Sequence, residues 1–234
     1  MLYSSFDIAS ILLVALVVVI SMILHELAHG YVALWNGDPT AKVNGRLTIN
    51  PLAHFDIIGF FMLMTVGFGY AKPVPINPYN FKHQKRGIFT VAIAGVTVNF
   101  ILAFCSSGLF VLFSWLKTKF PGAETVLSYF SDFFYFMIIV NLSFFFFNLL
   151  PIHPLDGFRV IEAFTRYNNR AVQFFRKYGQ YFLLTLVGIS IIVDIFNFPF
   201  WLDPLGMYIS YCREGVLWLF GKFWGIFLNF GGFY

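Results

Sequence analysis

The chain has 234 residues, of which 59% are hydrophobic and 21% aromatic, while only 11% carry a charge. Water-soluble domains have roughly a quarter of their residues charged, so this composition excludes a soluble enzyme and predicts an integral membrane protein. The formal net charge of +4 suits basic loops beside anionic lipid headgroups. It does not indicate a nucleic-acid partner, because there is no soluble domain to carry a basic surface.

The first predicted element is a membrane helix from about Ile8 to Trp35. Its first part, as far as Leu24, has no ionisable side chain. Trp35 is the kind of residue that anchors a helix at the membrane surface. The sequence Asn36-Gly37-Asp38-Pro39 then has the turn chemistry that ends a helix.

The sequence His25-Glu26-Leu27-Ala28-His29 lies inside this helix. Residues four apart share one face of a helix, so the two imidazoles can bind one metal ion together. Glu26 lies beside them, where it can take a proton from a water molecule at the metal. This is the H-E-x-x-H pattern of zinc hydrolases. Ionisable groups at membrane depth are costly, which favours a functional site over hydrogen-bonded core histidines.

The region from Lys42 to Arg86 has a less regular pattern. Val43–Asn50 alternates around a turn in the manner of a short strand. Phe55–Tyr70 is apolar but shorter than the roughly 20 residues that a spanning helix needs. We therefore expect a re-entrant or half-buried element there, with a short additional span as the alternative. Lys72–Pro78 is rich in proline and is predicted to be extended.

Four apolar segments follow, and the first two are predicted membrane helices. The second of these ends at Pro151 and Pro154, which unwind it. The segments are Gly87–Trp115, Leu127–Leu150, Phe182–Phe198 and Leu205–Phe230.

The whole pattern predicts an all-α polytopic membrane protein with five to six transmembrane helices. A short membrane-associated strand or re-entrant region is expected after the first helix. We expect one integral-membrane domain over residues 1–234, with a core at about 8–157 and C-terminal helices at about 179–230.

The distribution of basic residues predicts the orientation of the chain. If Phe55–Tyr70 does not cross the membrane, only Lys117 and Lys119 lie on one face, and the positive-inside rule places that face outside the cell. The metal motif then lies near the cytoplasmic side. The basic residues on that side are Lys42, Arg46, Lys72, Lys82, Lys85, Arg86 and the loop from Arg159 to Lys177.

A catalytic zinc ion needs three protein ligands and an open position for water, so the two histidines need a partner from elsewhere. Asp156 is preferred because it follows the broken helix and begins a segment on the face where the histidines lie. Its alternative role is that of a turn or helix N-cap carboxylate before Gly157. The other candidates are His54, Asp56, His83, Asp132, Asp194 and, for enzymes with a glutamate ligand, Glu162.

Three separated motifs together resemble the site-2 protease family of intramembrane zinc metalloproteases, and in particular its short prokaryotic members without a PDZ or CBS domain. They are His25–His29, Ala94-Gly95-x-x-x-Asn99, and Asp156-Gly157 behind Asn148-x-x-Pro151. Two departures from the family pattern are Val96 and His153, where relatives commonly have proline. The resemblance implies that His25, His29 and Asp156 bind Zn²⁺, that Glu26 is the general base, and that Asn99 and Asn148 are polar aids near the site.

The activity implied by this resemblance is zinc-dependent hydrolysis of peptide bonds within or near the transmembrane segments of membrane proteins in the lipid bilayer. A peptide bond in a helix is shielded by hydrogen bonds, so the substrate has to unwind. We expect Val43–Asn50 to receive it by strand addition. No particular substrate and no oligomeric state are readable from the residues.

Two functions of other classes compete with this interpretation. A membrane zinc transporter needs a path of ligands, yet the chain has five histidines, two of them in the motif, and no second His/Glu pair on a helix. A membrane protein that holds zinc without catalysis differs from a protease only in activity.

Overall fold

The computed structural model describes residues 8–54, 72–165 and 169–228, together with Asp56, Gly59 and Met62. Within these residues the regular structure is helical and contains no strand. The helices are α1 (Ile8–Trp35), α2 (Thr40–Val43), α3 (Pro51–His54), α4 (Gln84–Lys119), α5 (Glu124–Leu149), α6 (Asp156–Phe164), α7 (Arg170–Ile195) and α8 (Pro204–Leu228).

Four stretches of the described chain are long and apolar enough to cross a membrane. The long helix α8 is not among them, although it packs on the bundle through Phe220, which contacts Phe100 and Phe104 of α4. The predicted all-α, multi-pass architecture is confirmed, while a total of five to six spans stays a prediction. The four stretches are Ile8–Trp35, Gln84–Lys119, Pro121–Leu149 and Arg170–Ile195.

The long helices agree with the predicted apolar segments except at the start of α7, and the loop predicted from Arg159 to Lys177 also contains most of α6. Helix α7 begins at Arg170, twelve residues before the predicted start at Phe182. The Asn169 side chain caps it by accepting hydrogen bonds from the backbone N–H groups of Ala171 and Val172. The basic residues assigned to a loop therefore include several on the first turns of a helix.

The strand predicted for Val43–Asn50 is wrong. Val43 ends the short helix α2, and the following backbone groups are used in local turns. The N–H groups of Gly45 and Arg46 donate to the carbonyls of Lys42 and Ala41, at 3.0 and 2.9 Å. Gly45 has a φ of +64°, which turns the chain away from an extended path. These groups cannot also pair with a substrate strand.

Most of Phe55–Tyr70 lies outside the described residues, so a re-entrant element or a short span stays a prediction. The residues that flank it are described. The backbone N–H of Lys72 donates to the carbonyl of His54 at 3.0 Å. A second bond, from Lys82 N–H to the Asn36 carbonyl at 2.9 Å, joins the end of α1 to the start of α4. The chain between these helices thus leaves and returns at one end of the bundle.

Helix α4 lies at the centre of the bundle, where it packs against α1, α5 and α6. Helices α1 and α5 also meet through a polar contact. The buried side chain of Asn141 donates to the hydroxyl of Ser21 at 2.8 Å. Ser21 lies one turn before His25, so α1 turns the same face to both neighbouring helices. This packing buries the motif inside the bundle.

Candidate metal centre

The two histidines of α1 are buried and face α4. His25 is 8% exposed and His29 is 4% exposed. The ring Nδ1 of His29 lies 2.7 Å from the backbone carbonyl oxygen of Val91, and Nδ1 of His25 lies 3.1 Å from the side-chain amide of Asn99. Because the later histidine meets the earlier residue of α4, the two helices run antiparallel. Both imidazoles are held from behind by α4.

The carbonyl of Val91 defines the protonation of His29. It can only accept, so Nδ1 carries the proton and Nε2 keeps its lone pair. The side chain of Asn99 can do the same for His25. Its Oδ1 is buried without a hydrogen-bond partner, while its Nδ2 faces a ring nitrogen. A half-turn of the amide lets Oδ1 accept from Nδ1 of His25, which leaves Nε2 of His25 to a metal.

Gly95 stands on α4 between Val91 and Asn99, four residues from each. A Cβ atom at this position would lie 2.5 Å from Nε2 of His29 and 2.6 Å from Nε2 of His25. These are the nitrogen atoms that a metal would need. The missing side chain of Gly95 therefore leaves space in front of both imidazoles.

Asp156 supplies a third ligand atom at the same place. Its Oδ2 lies 3.3 Å from Nε2 of His25 and 3.1 Å from Nε2 of His29, and the two nitrogens are 3.0 Å apart. Zinc bound tetrahedrally at its usual ligand distances separates neighbouring ligand atoms by about 3.3 Å. Among the described groups Oδ2 has no hydrogen-bond partner. The donor set and its spacing thus fit Zn²⁺.

The position of Asp156 depends on the break after α5. The chain leaves α5 at Leu149, turns, and begins α6 at Asp156. A Cβ at Gly157 would lie 2.3 Å from the Leu149 carbonyl oxygen, so only glycine permits this close return. The return thus places the side chain of Asp156 against both imidazoles.

Glu26 is half-buried, and one of its carboxylate oxygens contacts the segment before α4. Its Oε2 accepts a hydrogen bond from the backbone N–H of Val74 at 2.8 Å. The cluster of possible metal ligands in the described chain consists of His25, His29 and Asp156. Glu26 thus lies beside that cluster in sequence and is not part of it.

The other predicted ligands are engaged elsewhere or exposed. The ring Nε2 of His54 lies 2.8 Å from the Thr48 carbonyl oxygen. Glu162 forms an ion pair with Arg176 at 2.6 Å. Asp56 accepts from the N–H of Gly59. The exposed candidates are His83, Asp132 and Asp194.

Of the two predicted polar aids, only Asn99 contacts one of the three ligands among the described residues. Asn99 contacts His25 directly. Asn148 donates its side-chain amide to the carbonyl of Phe144 at 3.0 Å, one turn earlier on its own helix. No described contact joins Asn148 to the three ligands. Its role stays a prediction.

Several groups at the site were not singled out from the sequence. The Val91 carbonyl and the Val74 N–H belong to the backbone, so no side chain announces them. Gly95 enters the sequence prediction only as part of the Ala94-Gly95-x-x-x-Asn99 motif. Val91, Gly95 and Asn99 are spaced four residues apart, which places them on one face of a helix. This spacing is the sequence signal that could identify Val91 and Gly95 as neighbours of the site.

Comparisons with known proteins agree with this chemistry. Residues 112–192 match the model of peptidase family M50, a segment that includes Asp156 and begins after the histidine motif. The chain is 44% identical over 144 residues to "Putative zinc metalloprotease YwhC" of Bacillus subtilis, which covers 62% of this chain and 65% of that protein. It is 27% identical over 215 residues to "Putative zinc metalloprotease Rip2" of Mycobacterium tuberculosis, covering 88% and 78%. No solved structure gives a significant match.

The space left by Gly95 gives a direct test of the metal site. In Gly95→Ala the new methyl group would occupy the position in front of the imidazoles, so zinc affinity should fall by at least about 10–100-fold. Zinc bound to the purified protein is measured by mass spectrometry of the metal. Gly188→Ala is the matched control, since a Cβ there meets no atom within 4 Å. Normal zinc binding in Gly95→Ala would contradict the proposed position of the metal.

Proposed function

Because this chain belongs to peptidase family M50, the site-2 protease family, we propose that it is an intramembrane zinc metalloprotease. Its substrates are proteins or peptides whose scissile bonds lie within or near a transmembrane segment. One observation carries the proposal. Ligand atoms from two distant parts of the sequence, the histidines of α1 and Asp156 of α6, converge within 3.3 Å, and the glutamate next to His25 in sequence is not one of them.

Zinc is held in this proposal by His25, His29 and Asp156. Zinc bound there would lower the pKa of a water molecule and polarise the carbonyl group of the scissile peptide bond. The protein's part is to keep three ligands in place. Val91 and Asn99 orient the imidazoles, and Gly157 allows Asp156 to return to them.

Glu26 is the general base in this mechanism. It lies one residue from His25, and its Oε2 is already occupied by the Val74 N–H. The other oxygen, Oε1, takes the proton from the attacking water and passes it to the amine that leaves. A carboxylate that was also a metal ligand would be less able to do this. Its absence from the ligand cluster therefore supports the assignment.

Asn148 completes the proposed set of site residues. It lies on the last turn of α5, just before the break that leads to Asp156. We place its amide among the groups that bind the substrate backbone near this break. We expect residues 1–234 to form one membrane domain.

A zinc transporter and a zinc-holding protein without activity remain the competing functions. In the described chain the potential metal ligands form one cluster, with no second cluster to continue a path. Zinc transport is tested by measuring zinc uptake into proteoliposomes that contain the protein in the membrane and a zinc-sensitive dye inside. We expect no zinc uptake above that of empty vesicles.

The basic residues favour a cytoplasmic position for the site-bearing end of the bundle. Lys82 lies beside the end of α1, because its backbone N–H donates to the Asn36 carbonyl. Lys117 and Lys119 lie at the opposite end of α4. The positive-inside rule then places Asp156 and the end of α1 near the cytoplasm.

The assignment of the three ligands predicts the zinc content of single variants. His25→Ala, His29→Ala and Asp156→Ala should each lose most of the bound zinc, because each removes one ligand atom. Asp132→Ala and Asp194→Ala are controls, since both side chains are exposed on the helix surface. Zinc is measured in purified protein. A normal content in Asp156→Ala would overturn the third ligand.

The role of Glu26 predicts a variant that keeps zinc and loses activity. Glu26→Gln preserves the size of the side chain but cannot take up a proton, so cleavage should slow by about 10²–10⁴-fold. Cleavage of a single-span membrane protein in proteoliposomes is followed by mass spectrometry of the products. Full activity of Glu26→Gln would exclude this mechanism, and loss of zinc together with activity would make Glu26 a ligand.

The orientation predicts which positions react with a membrane-impermeant thiol reagent. In a chain with Cys105 and Cys212 replaced by serine, single cysteines at Asn44 and Tyr79 should react from the cytoplasmic side. A cysteine at Thr118 should react from outside. All three native residues are exposed, so accessibility depends on the side of the membrane alone. Labelling of Asn44 and Thr118 from one side would contradict this topology.

A further inference from the structure

The segment Lys72–Asn80, called the strap below, runs past the metal motif in an extended path that ends in a single turn at Pro78–Asn80. Its sequence limits the hydrogen bonds that it can donate. Pro73 and Pro75 have no N–H, so between Lys72 and Ile76 the backbone offers one donor, that of Val74. That donor is the group bonded to Glu26.

The strap is held against α1 by packing on both sides of this bond. Val74 is 5% exposed, and one of its methyl groups lies 3.2 Å from the position that a Cβ at Gly30 would take. Ile76 packs against the buried cluster that includes Ala33 and Val91. The strap is therefore seated beside the turn of α1 that carries His29 and beside the turn of α4 that carries Val91.

Asp38 anchors the far end of the strap. Its side chain is fully buried just after α1, where Oδ2 accepts from the Asn77 N–H at 2.7 Å and Oδ1 from the Asn80 side-chain amide at 2.8 Å. Burial raises the pKa of the Asp38 carboxyl, but hydrogen bonds from Thr40, Asn80 and Asn77 outweigh burial and hold it below its usual range. Asp38 therefore stays ionised, and its charge strengthens these bonds.

We propose that the strap positions the general base: the N–H of Val74 holds one oxygen of Glu26, and Asp38 holds the strap in register for that bond. The inference rests on the proposed function of Glu26. Val74 and Asp38 are positioning residues, because they act through Glu26 rather than on the substrate.

The physical reason is the freedom of a glutamate side chain. Glu26 has three rotatable side-chain bonds and is half-buried, so without a partner its carboxylate would sample several directions. A backbone N–H is a rigid donor, and a bond from it to a carboxylate is stronger than a neutral one. Fixing Oε2 in this way leaves Oε1 to meet the proton in a defined direction.

The contact itself is tested first, by hydrogen–deuterium exchange of the full-length protein without added zinc. The Val74 amide should be protected in the wild type and should exchange about tenfold or more faster in Glu26→Ala, which removes its acceptor. The Asn77 amide should likewise exchange faster in Asp38→Ala, which removes its acceptor. Unchanged protection of Val74 in Glu26→Ala would overturn the proposal, whatever the protein's activity.

The kinetic test compares two variants at one position. Val74→Pro deletes the N–H and retains an extended backbone, whereas Val74→Ala keeps the N–H and trims the side chain. We expect kcat of Val74→Pro to fall by about 10–100-fold, the value of a hydrogen bond to a charged group, with KM and zinc content unchanged. The kcat of Val74→Ala should fall less than that of Val74→Pro, because the N–H remains. Equal loss in both would make packing, rather than the N–H, the cause.

A double variant separates this inference from the proposed function. If the strap acts through Glu26, Val74→Pro should cost nothing further in the Glu26→Gln background. Failure of the proposed function would show as full activity of Glu26→Gln alone. Failure of the strap proposal would show as an inactive Glu26→Gln with a fully active Val74→Pro.

The role of Asp38 is tested by exchanging the hydrogen-bond donor and acceptor between positions 38 and 80. Asp38→Asn should lower kcat with zinc retained, because an amide nitrogen then faces the Asn80 amide. Adding Asn80→Asp lets residue 38 donate to residue 80 and still accept from the Asn77 N–H. We expect this double variant to recover at least about half of the loss, on a logarithmic scale of kcat. No recovery, together with normal exchange at Val74, would remove Asp38 from the proposal.

Discussion

The antiparallel contact between α1 and α4 is the constraint on which the rest of the site depends. His25 and His29 face Asn99 and Val91, and their Nε2 atoms can point at one metal only because Gly95 has no side chain. The same contact solves an energetic problem. Imidazoles in a membrane helix are costly unless each polar atom has a partner, and here α4 provides one for each Nδ1.

The third ligand is brought in by a broken helix. An unbroken α5 would carry Asp156 further along the bundle, away from α1. The turn after Leu149 and the close return at Gly157 instead bring its carboxylate to the open side of the two rings. Packing supports this turn from outside, because a Cβ at Gly179 of α7 would lie 3.0 Å from the backbone of His153. Helix α7 therefore covers the loop between α5 and α6.

Three carboxylates lie close to this end of the bundle, and each has a different set of partners. Asp156 faces imidazoles, Asp38 faces N–H donors, and Glu26 accepts one backbone N–H while half-exposed. These surroundings suit three roles in the proposals above: ligand, anchor and base. A carboxylate that must exchange a proton cannot be saturated with donors, and Glu26 is the least enclosed of the three.

The sequence by itself determined what depends on composition and local spacing. It predicted the membrane-helix segments, the bounds of α1 and the pairing of His25 with His29, because hydropathy and the four-residue repeat act within one helix. It placed a strand at Val43–Asn50, where local alternation proved weaker than turn formation at Gly45. Only the tertiary structure decided the partners of Asn99, the space before Gly95, the bond from Val74 to Glu26 and the burial of Asp38. These features depend on segments far apart in the chain, and the bond from Val74 uses a backbone N–H that no side-chain pattern reveals.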